Sequence, residues 1–78
     1  MVLIDDKKNL PRLVKSLRER LGLSQEKLAA RMGVTFSSVN RWENAHSKPS
    51  PLAVQKLEEL VVELGSDGKD LHDEFFGK

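Results

Sequence analysis

The chain contains no cysteine. That excludes a disulfide-stapled secreted mini-protein, a thiolate zinc finger and thiol catalysis. Histidine occurs only twice, as His46 and His72, too few for a histidine-based metal centre. No apolar run approaches the roughly 20 residues of a membrane-spanning helix. Met1 to Ile4 is apolar but runs straight into Asp5 and Asp6, which is not the pattern of a secretory signal. A cytoplasmic address is the expectation. A Gly-rich phosphate loop is also missing. Ser37 and Ser38 have no evident base with its orienting partner, and the His72-Asp73-Glu74 cluster reads as a solvated charge run. We therefore expect no enzyme, no cofactor and no metal. What remains is 78 residues, 38% of them hydrophobic. That is enough for one domain with one small core, and too little for a deep substrate cavity.

The net charge is only +1, but it hides a segregation. From Lys7 to Lys48 there are ten bases against three acids, giving +7. From Pro49 to Lys78 there are three bases against seven acids, giving −4. Such a split suits one half that faces a polyanion and another that faces water or a protein. Charge alone does not decide between that and plain surface patterning.

Apolar spacing predicts short helices separated by punctuated turns. Leu10, Leu13, Val14, Leu17 and Leu21 share one helical face, with Asn9 as cap and Pro11 in the first turn. Gly22 suits the left-handed residue that ends this helix. Ser24 caps a second helix, with Glu26 near the positive end of its dipole and Leu28, Ala29 and Met32 inward. Gly33 allows a tight turn, and Thr35 caps a third helix over about Phe36–Asn44, with Val39 and Trp42 inward. Pro49 stops anything helical before it. Ser50 and Pro51 open a fourth helix, carrying Leu57, Leu60, Val61 and Leu64, which Gly65 ends. Residues 66–69 read as a polar turn, and Asp70 as the cap of a last turn or two holding Leu71 and Phe75. No segment alternates with period two convincingly. Val2 to Ile4 is the nearest to an extended stretch.

The second and third helices, joined across Gly33, have the spacing of a helix-turn-helix. Ala29 and Ala30 are small enough for a close crossing. With Val39 and Trp42 inward, Phe36, Ser37, Asn40, Arg41 and Asn44 fall on the opposite face. That strip is narrow, polar and basic, which is what a DNA major groove accepts. Phe36 is its exception, an aromatic with no inward role, and its ring could touch a thymine methyl.

The run SQEKLAARMGVTFSSVNRWENAHSKPSP, Ser24 to Pro51, resembles the helix-turn-helix of phage repressor and Cro-like proteins, the XRE family. The pattern is Ser-Gln-x-x-Leu-Ala-x-x-x-Gly-Val, then a helix ending Trp-Glu-Asn, then Lys-Pro. With the first and fourth helices, the resemblance covers 9–64. It implies an all-α, four- to five-helix bundle of the lambda-repressor type with helices two and three as the DNA-binding motif. The divisions are an N-terminal arm (1–8), the DNA-binding domain (9–65) and a C-terminal short helix or tail (66–78). The resemblance implies base reading by Phe36, Ser37, Asn40 and Arg41, with a phosphate contact as the alternative for Arg41. It implies backbone contacts by Gln25, which also buttresses the third helix, and by Thr35, Ser38, Asn44, His46 and Lys48. Arg18 and Glu43 match a partly buried family ion pair, a phosphate contact being the alternative for Arg18. Two departures stand out. Phe36 sits where many relatives carry glutamine, so base specificity does not transfer. Asn44-Ala45 replaces the frequent Asn-Gly, which strains the turn if a positive φ is needed there.

The implied function is a transcriptional regulator binding double-stranded DNA, as a two-fold dimer. Candidate dimer contacts are Val61, Leu64, Leu71, Phe75 and Phe76, unless the two phenylalanines fold back onto the core. The alternative is a protein-interaction module or antitoxin whose acidic C-terminal half binds a partner protein. An RNA-binding coactivator of similar fold also fits the basic half.

Overall fold

The apolar stripes close on one another as five helices. The computed structural model describes residues 10–77. The Asn9 cap, the arm at 1–8, the extended stretch at Val2 to Ile4 and the bases Lys7, Lys8 and Lys78 lie outside the described residues. In order come α1 (Leu10–Leu21), α2 (Gln25–Met32), α3 (Phe36–Glu43), α4 (Pro51–Glu63), a 3-10 turn (Gly65–Gly68) and α5 (Lys69–Phe75). No strand occurs among the described residues, and the fold is all-α.

Capping chemistry sets the boundaries. Ser24 Oγ accepts from the Lys27 amide at 3.1 Å, Thr35 Oγ1 from Ser38 at 3.1 Å, and Ser50 Oγ from Ala53 at 3.2 Å. Each bond satisfies an amide left without an intrahelical partner. Gly33 closes α2 in the left-handed region at φ 73°, so the α2–α3 turn is made without steric cost. The third helix ends one residue earlier than the spacing predicts, with Asn44 as its cap.

The start of α5 corrects the sequence expectation. Asp70 does not cap it. The helix begins at Lys69, behind Gly68, with no side-chain cap, and the expected polar turn is a turn of 3-10 helix. The reason is a close approach. A Cβ at Gly68 would lie 2.4 Å from the Val61 carbonyl oxygen and 2.9 Å from Leu64 Cβ, so only glycine lets the chain fold this tightly against the end of α4.

One core joins all five helices. It comprises Leu13, Val14, Leu17, Leu28, Ala29, Met32, Val39, Trp42, Ala53, Leu57, Leu60, Val61, Leu71 and Phe75. This overturns most of the expected dimer surface. Val61, Leu71 and Phe75 are buried, and Leu64 and Phe76 pack against the core. The physical reason is that a chain this short has little apolar surface to bury, and these side chains on α4 and α5 complete the core that α1, α2 and α3 begin. The Phe75 ring also lies under the Arg12 guanidinium, 5.2 Å from its centroid.

Phe75 is 6% exposed, so Phe75→Ala should destabilise the fold by about 3 kcal/mol, and Phe76→Ala by less. Denaturant titration followed by circular dichroism checks this. Equal, negligible losses would show that α5 is not part of the cooperative unit.

Candidate nucleic-acid interface

Val39 and Trp42 are buried and anchor α3 on α1 and α2. That turns Phe36, Ser37, Asn40, Arg41 and Asn44 away from the core. At 100° per residue, Asn40 and Asn44 run along the middle of this strip, while Phe36 and Arg41 mark its two edges. Phe36 is 50% exposed and is not a member of the buried core. Ser37 and Arg41 are exposed. Ser38 is half-buried, its hydroxyl 3.0 Å from that of Thr35.

The strip is tied to the rest of the molecule by a polar chain. Arg18 on α1 donates from Nε to Glu43 Oε2 at 2.7 Å and from Nη2 to Oε1 at 3.1 Å. Its third contact is to the Leu23 carbonyl at 3.2 Å, in the α1–α2 connection. Glu43 Oε1 also accepts from Gln25 Nε2 at 3.0 Å. Gln25 Oε1 in turn accepts from Asn40 Nδ2 at 3.2 Å. Asn44 Nδ2 then donates to Asn40 Oδ1 at 3.3 Å and to the Asn40 carbonyl at 2.8 Å. Three helices are thus joined through a carboxylate whose side chain is 7% exposed. The Glu43 hydrogen bond holds the Arg18 guanidinium pKa above its ordinary value, outweighing the desolvation that opposes it.

The resemblance implies that Gln25 grips a phosphate and buttresses the third helix, and its bonds to Glu43 and Asn40 are such a buttress. What the sequence reading missed is the partner, since it assigns Asn40 to a base edge. In the free protein the two amides face each other. The signal was present, because Asn40 and Glu43 are three apart on α3 and share the side that meets the start of α2.

His46 and Lys48 are exposed on the loop after α3. With Leu10, Pro11, Trp42, Ala45 and Ser47 they line a cavity of about 180 Å³, smaller than the roughly 300–1,000 Å³ of ordinary ligand pockets. The loop turns at Ala45, whose φ of 61° makes it the only non-glycine in the left-handed region among the described residues. The absent glycine of the Asn-Gly pattern is therefore a strained alanine.

The charge segregation resolves into pairs. Arg12 bonds Glu74. Arg20 bonds both oxygens of Asp70, at 2.7 and 3.1 Å, which holds that carboxyl below its usual range. Arg31 bonds Glu63 at 2.6 Å, and His72 Nε2 lies 3.0 Å from Glu58 Oε2. Acids of α4 and α5 thus pair with three bases of α1 and α2, Arg12, Arg20 and Arg31. Among the described residues Arg41 and Lys48 make no salt bridge, and neither do Lys15, Lys27, Lys56 and Lys69. The unpaired bases therefore include the one on α3 and the one in the loop after it.

A family model described as helix-turn-helix matches residues 14–60. That span takes in most of α1, all of α2 and α3, and most of α4. No significant match to a curated protein or to a solved structure was found.

Arg18→Met keeps volume but strands Glu43, and should cost about 3 kcal/mol. A denaturation midpoint unchanged at matched slope would show that the pair is energetically idle. Ala45→Gly relieves left-handed strain at some cost in unfolded-chain entropy. A net stabilisation of about 0.5 kcal/mol should appear as a higher thermal midpoint, and a lower midpoint would contradict it.

Proposed function

Because the chain belongs to the XRE-type helix-turn-helix family, a DNA-binding family, we propose that it is a sequence-specific transcriptional regulator that sets α3 into the major groove. The observation that carries this reading is the α3 face. Phe36, Ser37, Asn40 and Arg41 point away from a core anchored by Val39 and Trp42, and among the described residues the Arg41 guanidinium makes no salt bridge. Arg41 meets a guanine edge or a neighbouring phosphate. Gln25, Thr35 and Ser38 lie at the N-terminal ends of α2 and α3, where backbone amides and dipoles favour a phosphate. Asn44, His46 and Lys48 take the backbone on the other side of the groove.

About five phosphate-reaching groups per chain make one copy a weak binder. A two-fold dimer on a palindromic site supplies the rest. Binding should fall about tenfold or more on a modest rise in salt. A cytoplasmic address goes with a DNA ligand. The competing reading, an acidic C-terminal half that docks a protein, is weakened by what the acids do: Glu63, Asp70 and Glu74 are engaged with arginines of the same chain.

The test is binding of labelled duplex from the gene's own upstream region against scrambled duplex, at two salt concentrations. At least a hundredfold preference with steep salt dependence is the expected result for an autoregulator. Equal, salt-insensitive binding to both would sink it. Arg41→Ala should weaken specific binding by about 1–3 kcal/mol and leave the melting temperature unchanged, because the side chain is exposed. A large fall in melting temperature would instead make Arg41 structural.

A further inference from the structure

Phe36 is the one residue of the α3 face that the fold does not explain. Its ring is half in water and outside the core, and α3 already has two anchors in Val39 and Trp42. Only two other large hydrophobic side chains among the described residues are as exposed, Leu52 and Val62, and both are on α4. A phenyl ring is a costly ornament on a polar strip unless something apolar comes to cover it.

The strip narrows what that something is. Asn40, one turn away, already has both ends of its amide engaged, by Gln25 and by Asn44. Ser38 is turned to Thr35. The groups still open are the Phe36 ring at one edge, the Ser37 hydroxyl, the Asn44 Oδ1 acceptor and the Arg41 guanidinium at the other edge. In the major groove the base edges present nitrogen and oxygen acceptors, amino donors and a single apolar group, the C5-methyl of thymine. A phenyl ring has no hydrogen bond to offer the first two classes. It gains only from the third.

Resting on the DNA-binding reading above, we propose that Phe36 is a specificity-determining residue that reads the C5-methyl group of a pyrimidine. The ligand is defined by the methyl and not by the rest of the base. Thymine satisfies it, uracil does not, and 5-methylcytosine presents the same methyl at the same place in the groove. Binding of this protein to a cytosine-bearing site therefore responds to cytosine C5 methylation, with methylation strengthening it.

The experiment starts with selection of duplexes from a randomised pool by the intact chain. In the selected duplex each thymine is then replaced singly by uracil, which removes the methyl and leaves pairing and O4 unchanged. At one thymine of the half-site the wild type should lose about fourfold in affinity, the worth of one buried methyl. Phe36→Ala should bind the thymine and uracil duplexes equally. Phe36→Leu should keep part of the discrimination, and both variants should melt with the wild type because the position is exposed. With a C·G pair placed there, 5-methylcytosine should be bound about fourfold more tightly than cytosine by the wild type only. The proposal is overturned if a selected duplex tolerates uracil at every position, or if Phe36→Ala discriminates as the wild type does. Failure of any duplex to be enriched would instead remove the sequence-specific DNA reading itself, and this inference with it.

Discussion

Everything on the α3 face depends on where the Glu43 carboxylate is held. It sits at the last residue of the helix, nearly out of water, and accepts from Arg18 on α1 and Gln25 on α2. A buried carboxylate with one partner removed is far more costly than no carboxylate at all. The three helices therefore have few alternative arrangements that keep the acid satisfied. Val39 and Trp42 supply the adhesion of α3, but apolar contact is non-directional. The bidentate guanidinium fork adds the direction. Together they fix both the position and the roll of the helix, and roll decides which side chains a groove would meet.

The charge pattern has a similar division of labour. Individually the Arg12–Glu74, Arg20–Asp70 and Arg31–Glu63 pairs are exposed and contribute little to stability. Their collective effect is on the field. Three arginines of α1 and α2 are paired with acids that arrive from α4 and α5, while among the described residues Arg41 on α3 and Lys48 in the loop after it are not. The pairing thus lowers the positive field around those arginines and leaves that of Arg41 and Lys48 unopposed by a salt bridge.

Much of this was legible in the sequence. Helix caps are local chemistry, and Ser24, Thr35 and Ser50 act as their residue types suggest. The stripe of α1 and the inward pair on α3 follow from helical period alone. The unusual Ala45 was visible as a missing glycine, and its φ is positive. Three things were not fully legible. Gly68 is glycine because of a contact with Val61 and Leu64, so the true start of α5 depends on packing that no local rule encodes. Phe75 and Phe76 read equally well as a sticky tail or as folded back on the core, since spacing gives a face but not what covers it. Of the side-chain chain from Arg18 to Asn44, the Arg18–Glu43 pair was expected from the resemblance, but the link from Gln25 to Asn40 and on to Asn44 was hidden for the same reason. The network's members come from three helices, and only their assembly brings the amides together.

The face that results is stiff in the middle and free at the edges. Asn40 and Asn44 are held by hydrogen bonds before any ligand arrives, so docking need not order them, and the entropy of fixing those side chains is already spent in folding. Phe36 and Arg41, at opposite edges, keep their freedom and are ordered only on contact. On the proposed DNA-binding reading, a rigid centre sets register and approach. The edges, one apolar and one cationic, would then discriminate by two different chemistries: exclusion of water from a methyl, and a charge-assisted hydrogen bond. The first is insensitive to salt and the second is screened by it. Raising salt on such a face should therefore weaken overall affinity while leaving the preference contributed by the Phe36 edge intact. A face that relied on guanidinium contacts alone would not separate the two in that way.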